Sequence, residues 1–406
     1  MRILVQKFGG TSLSTKEARE HAIRHIQDAL EDGYRLVVVV SAMGRKGEPY
    51  ATDTLLEWIE QNGNRLPERE RDMLLCCGEM ISAATLCSLL HERGIPAAAF
   101  TGAQAGILTN HVFGNAHIVS IDPTRIRSHL SQQEVVIVCG FQGRTSANDF
   151  TTLGRGGSDT SATALAAALK AEVCDIYTDV DGIYTADPRI VEDAKPLGQV
   201  SYTEICNMAH HGAKVIHPRA VEVAMEANIP IRVRNTFGTD QGTLVFGQRE
   251  LAGGVRQVAD RFVTGIAHVP SITQIEVTAA EGQYDLQLRV FKAMAQHHIS
   301  VDFINVNPSG VVYTVFDHVA DKAVEILKEL NYAPRYRKQC AKVSIIGGGI
   351  NGVPGIMATI VEALTEQDIQ ILQSSDSNAT IWVLVKGEDM KPAVKALHRT
   401  FGLHNR

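Results

Sequence analysis

The sequence predicts an α/β chain: a largely parallel sheet sandwiched by helices, followed by two smaller βαββαβ modules. Three observations carry this expectation. Residues 1 to about 250 alternate short β-branched runs with amphipathic helical stripes, the pattern of parallel strands joined by helical crossovers. A polar, glycine-containing stretch at about 251–262, with Gly253, Gly254, Asp260 and Arg261, reads as a domain boundary. Beyond it the rhythm becomes strand, helix, strand, strand, helix, and it does so twice. The expected division is 1–250, 263–337 and 338–406, and a chain of 406 residues is long enough to give each part a core.

In the first part the strand-like runs include Ile3–Gln6, Arg35–Ser41, Val135–Cys139 and Ile229–Val233. A helix follows the first of them. Ser14 and Glu17 have capping-box spacing, Ile23, Ile26 and Leu30 share one face, and Gly33 ends it. In the second part Ile272–Val277 alternates as a strand, and Leu286, Val290, Phe291 and Met294 form a helical stripe. Strand-like Ile299, Val301 and Phe303, then Val311–Phe316, lead to a helix with Ala323, Leu327 and Leu330 on one face. The same order recurs from Val343–Ile346 through the stripe Ile356, Ile360, Ala363 and Leu364. Strands near Ile369 and at Thr380–Val385 follow, then the stripe Met390, Val394 and Leu397. Two ferredoxin-like modules in tandem are expected.

Composition narrows the function classes. At 45% hydrophobic and 21% charged residues, the chain is globular rather than disordered. A net charge of −6 provides no broad basic field, so neither nucleic acid nor a membrane surface is an expected partner, and any anionic ligand must be gripped locally. The run Leu36–Val40 is too short to span a bilayer and the first ten residues lack a signal-peptide layout, so a cytoplasmic protein is expected. The seven cysteines form no C-x-x-C pair and no even set; they read as reduced thiols, and no metal-ligating residue is expected from the protein.

Three segments suit phosphate chemistry. Lys7-Phe8-Gly9-Gly10-Thr11-Ser12 directly follows a strand; its glycines let backbone amides approach an anion and Lys7 adds a full charge. Gly154-Arg155-Gly156-Gly157-Ser158-Asp159 opens a helix whose free amides favour an anion. There Arg155 suits a carboxylate and Asp159 can orient a lysine. Tyr177–Arg189 ends a strand and gathers Thr178, Asp179, Tyr184 and Arg189, residues suited to a base and its phosphates. Its D-x-D-G lacks the twelfth-position glutamate of a calcium loop. Gly347–Gly352 matches a dinucleotide fingerprint, but too little chain follows it for two βαβ halves. His210-His211 is read as a partly buried pair at a helix end.

Taken in order, Lys7–Ser12, Ser41–Gly44, Thr52–Leu55, Gly78-Glu79, Gly154–Asp159, Thr178–Arg189 and Gly212–Val215 resemble the signature blocks of aspartokinases, members of the amino acid kinase fold. The tandem C-terminal modules resemble ACT domains. The resemblance implies transfer of the γ-phosphoryl group of ATP, with Mg2+, to the side-chain carboxylate of L-aspartate. That is the first step toward lysine and diaminopimelate, threonine and methionine, with feedback through the ACT modules. It assigns Lys7, Phe8, Gly9, Gly10, Ser41, Thr178, Asp179, Tyr184, Arg189 and Lys214 to ATP, and Thr52, Glu79, Arg155, Gly156, Gly157 and Ser158 to aspartate. Lys7, Arg155, Asp159 and Lys214 would act in catalysis. Such modules commonly pair with a second copy, so a homo-oligomer is implied. An amino-acid effector would meet Ser300, Val301 and Asp302, with Tyr284 and Asp285 beside them. The segment Leu372–Asn378 departs from the lysine- and threonine-sensitive pattern toward the diaminopimelate-sensitive isozyme of bacilli, which favours meso-diaminopimelate. Two rival functions are a kinase for another small carboxylate and a non-catalytic amino-acid sensor.

Overall fold

The computed structural model describes residues 1–406 except Asn64, Lys214, 248–261, 280–284, 351–352 and Arg406. The chain divides into two compact units. The first comprises Met1–Ile183, Pro196–Ala209 and Lys214–Gln257; the second comprises Tyr184–Lys195, His210–Ala213 and Val258–Arg406.

The first unit is built on β-branched strands buried on both faces. Strand β1 is Ile3–Phe8 and leads into helix α1, Lys16–Glu31, then β2, Arg35–Val40. The N-cap of α1 is Thr15, whose side chain accepts the Ala18 N–H at 3.0 Å; Ser14 instead donates to Thr11 O, so the expected cap moves by one residue. Gly33, at φ 83°, ends the helix as expected. Helices α2 (Thr52–Gly63), α3 (Glu68–Leu75) and α4 (Cys77–Glu92) precede β3, Ala97–Phe100. By length and composition Glu68–Glu92 would suffice to cross a membrane, yet Ala83, Leu86 and Leu90 lie in the same buried cluster as Leu36, Val38 and Ile137.

Short strands β4 (Ile107–Thr109) and β5 (Ile118–Ile121) are followed by α5 (Thr124–Leu130) and β6, Val135–Cys139. Then come β7 (Gln142–Arg144), β8 (Phe150–Thr152), α6 (Gly157–Leu169) and β9, Val173–Thr178. The unit closes with β10 (Gln199–Ser201), α7 (Tyr202–His210), α8 (Pro218–Ala227), β11 (Ile231–Asn235) and β12 (Thr243–Phe246). The main sheet has the order β10-β12-β11-β9-β1-β2-β6-β3 and is parallel from β11 to β3. Chain order reverses at β1, which has β2 on one side and β9 on the other; that is the switch point where open parallel sheets bind ligands.

The second unit holds β13 (Gly265–Thr278), α9 (Leu286–Gln296), β14 (Asp302–Asn307), β15 (Gly310–Phe316) and α10 (Asp317–Glu329). After these come β16 (Arg335–Ile346), α11 (Ile356–Thr365), β17 (Gln373–Asp376), β18 (Thr380–Lys386) and α12 (Met390–Thr400). They form one six-stranded sheet, β14-β15-β13-β16-β18-β17. Both modules are recognisable, but not as two contiguous repeats. The C-terminal half of β13 pairs with β15. Its N-terminal half, Gly265–Val269, pairs with the half of β16 that continues to β18, and so supplies the second module's fourth strand. The cores divide likewise: Ile275 and Val277 pack with α9 and α10, whereas Val263 and Ile266 pack with α11 and α12. That second core also takes Ala186, Ile190, Val191 and Ala194 from the Tyr184–Lys195 segment. Gly347 follows β16 in an antiparallel sheet, which rules out the dinucleotide-binding βαβ geometry.

Candidate active site

In the first unit, parallel register aligns the carboxyl ends of four strands: Phe8 lies opposite Val40 and Tyr177, and Val40 opposite Cys139. The residues that follow, Gly9, Ser41, Gly140 and Thr178, therefore emerge along one edge. Lys7, near the end of β1, places Nζ 2.7 Å from Asp159 Oδ1, with both side chains almost buried. Gly10 sits where a Cβ would meet Ala42 O and Gly44 O, each at 2.7 Å, and its carbonyl accepts the Gly44 N–H at 3.0 Å. Only glycine permits that closeness. The result is a tight backbone cradle beside an ammonium group.

Helix α6 faces this edge with its start. Gly156 adopts φ 70° as N-cap, and a Cβ there would overlap the His217 ring. Ser158 abuts Gly140, where a Cβ would lie 2.9 Å from Ser158 Oγ. The Asp159 carboxylate also receives the His217 N–H at 3.4 Å. Arg155 is exposed and Thr52 half-buried at the start of α2.

Glu79, in the first turn of α4, is 2% exposed. One carboxylate oxygen accepts the Ala42 N–H at 3.1 Å; the other has no partner among the described residues. Burial pushes this carboxyl up to about 8, with the Ala42 N–H opposing. The fit is close, since a Cβ on the preceding Gly78 would meet Ala42 Cβ at 2.7 Å. A buried acid with an unused oxygen is poised for a cation.

The edge is braced from β9 and β11. Thr236 Oγ1 donates to Thr178 O at 3.1 Å and lies 2.6 Å from Ser12 Oγ. Tyr177 stacks on Phe8 with centroids 4.7 Å apart. Buried Asp175 receives Arg232 in two hydrogen bonds of 2.7 and 2.8 Å. Asp179, exposed beyond Thr178, is paired with Arg45 at 2.6 Å.

Residues 2–235 match the model of the amino acid kinase family and residues 335–399 that of an ACT domain. Aspartokinase 1 of Bacillus subtilis (strain 168) is 55% identical over 403 residues, covering 99% of this chain and 100% of its own length. This chain belongs to the aspartokinase family. The aspartokinase of Geobacillus stearothermophilus is 41% identical over 99% of this chain and 98% of its own. The solved structure of E. coli aspartokinase III in complex with aspartate and ADP superposes with a TM-score of 0.79 at 26% identity, covering 98% of this chain and 99% of that one.

In this aspartokinase the first unit brings together Lys7, Phe8, Gly9, Gly10, Ser41, Glu79, Gly156, Gly157, Ser158, Asp159 and Thr178 through the contacts above. Tyr184 and Arg189 belong to the second unit, where Tyr184 packs against the Ile190 and Val191 core and Arg189 pairs with Asp187 at 2.7 Å. Lys214 and Tyr284 lie outside the described residues. Asp302 is ion-paired with Lys342 and accepts the Phe303 N–H at 2.8 Å, so it is a strand residue engaged within its own sheet. Burial alone would raise its carboxyl; the Lys342 ammonium holds it below its ordinary value instead. Val301 packs on the first module's core, while Ser300 and Asp285 are exposed. Of the pair read as partly buried, His211 is buried and accepts the Trp382 indole N–H at 3.0 Å, while His210, at the end of α7, is exposed.

The sequence reading missed Gly140 and Phe141. Phe141 holds φ 65°, uncommon for a bulky residue, and its ring would collide at 2.8 Å with a Cβ on Gly157. The signal for Gly140 was present, a glycine straight after an apolar strand as at Gly9; nothing marked Phe141.

Proposed function

We propose that the chain transfers the γ-phosphoryl group of MgATP to the β-carboxylate of L-aspartate, forming 4-phospho-L-aspartate and ADP. The observation that carries this reading is one sheet edge offering both kinds of grip: a glycine cradle with the Lys7 ammonium for phosphate, and the buried Glu79 carboxylate for the substrate α-ammonium. Thr52, Arg155, Gly156, Gly157 and Ser158 are assigned to aspartate. Gly9, Gly10, Ser41, Thr178 and Asp179 are assigned to the nucleotide. Tyr184, Arg189 and Lys214 join the nucleotide group by resemblance of their signature blocks.

The β-carboxylate is ionised at neutral pH, so no general base is needed. The barrier is repulsion: two like unit charges about 4 Å apart repel by ~4 kcal/mol at an effective dielectric of 20, and a triphosphate carries several. Lys7, held by Asp159, neutralises phosphate charge while cradle amides fix the oxygens for in-line transfer without a phosphoenzyme. Asp159 and Asp179 are already engaged by Lys7 and Arg45. The reading therefore brings Mg2+ in on the phosphates as part of the substrate.

Regulation is assigned to the ACT modules, with meso-diaminopimelate the favoured effector and a homo-oligomer formed through them. The support is compositional: Leu372–Asn378 as it stands in this sequence, and exposed Ile304 and Val306 on β14, an edge strand of its sheet. Incubation with ATP, Mg2+ and hydroxylamine should yield a hydroxamate with L-aspartate. Equal or faster turnover of glutamate would sink the substrate assignment.

A further inference from the structure

Away from the proposed active site, the second unit gathers three metal-binding side chains that phosphoryl transfer does not use. His398 lies on the buried face of α12, among Val394 and Leu397. The helix stops at Thr400 and Gly402, at φ 64°, turns the chain back, its N–H donating to Arg399 O at 2.9 Å. Leu403 then plugs into the same core, 1% exposed. That reversal sets His404 beside His398, with ring centroids 6.5 Å apart. The third group, Asp193, comes from far earlier in the chain. It stands in the Tyr184–Lys195 segment, which is anchored in this core by Val191 and Ala194.

One ligand atom from each of Asp193, His398 and His404 lies within 4.8 Å of the other two. His398 Nδ1 is 3.9 Å from Asp193 Oδ1, too long for a hydrogen bond. Two ligands of one tetrahedral zinc ion, with bonds of 2.0–2.1 Å, stand about 3.4 Å apart. Asp193, with a side chain 58% exposed, is free to swing across the remaining gap. The surroundings fit as well. His398 Nε2 is 2.9 Å from Thr185 Oγ1, which also accepts the Lys195 N–H at 3.0 Å. An imidazole that donates from Nε2 to this hydroxyl presents the Nδ1 lone pair toward Asp193, as metal-bound histidines do. His404 Nδ1 is buried with no hydrogen-bond partner among the described residues, an arrangement that a metal bond would satisfy.

We propose that Asp193, His398 and His404 bind a divalent transition-metal ion, with zinc the best match to two imidazoles and a carboxylate. The ion clasps the C-terminal turn to the Tyr184–Lys195 segment and leaves a fourth position to water. Sequence spacing gave no hint of this, because the carboxylate and the histidines are some two hundred residues apart.

The test uses the full-length protein, stripped with EDTA and dialysed, then titrated with zinc chloride and separately with cobalt chloride. Melting temperature, bound metal per chain and the visible absorption of cobalt are followed. The wild-type chain should take up one ion, melt higher with zinc, and give the ligand-field bands of a four- or five-coordinate cobalt ion. His398 is 1% exposed, so its variants risk misfolding and the test rests on Asp193→Asn and His404→Gln. Each should weaken binding at least about tenfold while leaving the melting temperature in EDTA unchanged. Absence of uptake by the wild-type chain, or uptake that either variant leaves unchanged, overturns the assignment.

Discussion

Glu79 should make aspartate binding depend steeply on pH. Burial raises its carboxyl from an ordinary 4.5 to about 8, so at pH 7 most of the free enzyme carries it protonated and unable to pair with an ammonium group. If only the carboxylate form accepts aspartate, the apparent KM scales as one plus the ratio of protonated to ionised Glu79. Between pH 6 and pH 8 that factor falls from roughly 100 to roughly 2, a change of about fifty-fold. For a carboxyl titrating near 7 the fall would still be about tenfold. Binding at pH 7 should also release close to one proton, detectable by titration calorimetry in two buffers of different ionisation enthalpy. Stability is linked to the same group. Below 4.5 both folded and unfolded chains hold the proton; as pH rises toward 8 the unfolded chain has lost it while the folded one retains it, so stability declines with pH. The total is on the order of 5 kcal/mol once pH exceeds 8. Glu79→Gln has no proton to lose there. Its KM should be high and flat across the range, and its stability should not share the alkaline decline. Initial rates at saturating MgATP from pH 6 to pH 9, with denaturant melts at the same pH values, measure both. A wild-type KM that is flat with pH, or a glutamine variant with the same slope, would refute the role of Glu79.

Three further outcomes are expected. Lys7→Ala should reduce kcat by ~10²-fold, about 3 kcal/mol, as for loss of one preorganised charge-stabilising donor; near-normal kcat in a folded variant would displace the phosphate cradle from Lys7. Gly10→Ala forces a methyl group against Ala42 O and Gly44 O, so it should lower stability by about 1–3 kcal/mol and raise the KM for ATP; unchanged melting and KM would contradict the packing. Asp302→Ala leaves the 6%-exposed Lys342 ammonium without its carboxylate. It should lower the melting temperature, with Lys342→Met in the same background restoring it, and should abolish the inhibition and thermal shift produced by meso-diaminopimelate. If lysine gives both effects on the wild type and meso-diaminopimelate neither, the effector assignment fails.

What could be read from the sequence was whatever is local. Val135–Cys139 and Leu36–Val40 announce buried parallel strands because five apolar residues in a row fit few other environments. Lys7–Gly10 announces an anion cradle because glycines directly after a strand serve close backbone approach. The partnership of Lys7 with Asp159 needed the fold, since it depends on α6 starting opposite the end of β1. The resemblance assigned Glu79 to aspartate, but its burial follows from packing against Ala42 that no spacing records. The alternation of Ile272–Val277 marks only the later part of the 14-residue β13, and the register shifts between Val269 and Gln274 reveal that its halves serve different modules. The cap at Thr15 rather than Ser14 shows the same limit on a smaller scale, two neighbouring hydroxyls being equally suited in composition.

The Tyr184–Lys195 segment has a consequence for synthesis. Ile190 and Val191 leave the ribosome long before Ile345, Val383 and Leu397, the side chains they pack with. At ~5–20 residues per second, the roughly 200 residues between them take about 10–40 s to make. For that interval the first unit's strands β1, β2, β6 and β9 can pair while the short apolar stretch that follows β9 in the chain stays without its core. A nascent chain arrested before Met390 lacks the Val394 and Leu397 part of that core, so Ile190 and Val191 should stay more open to chaperones and proteases until α12 is made.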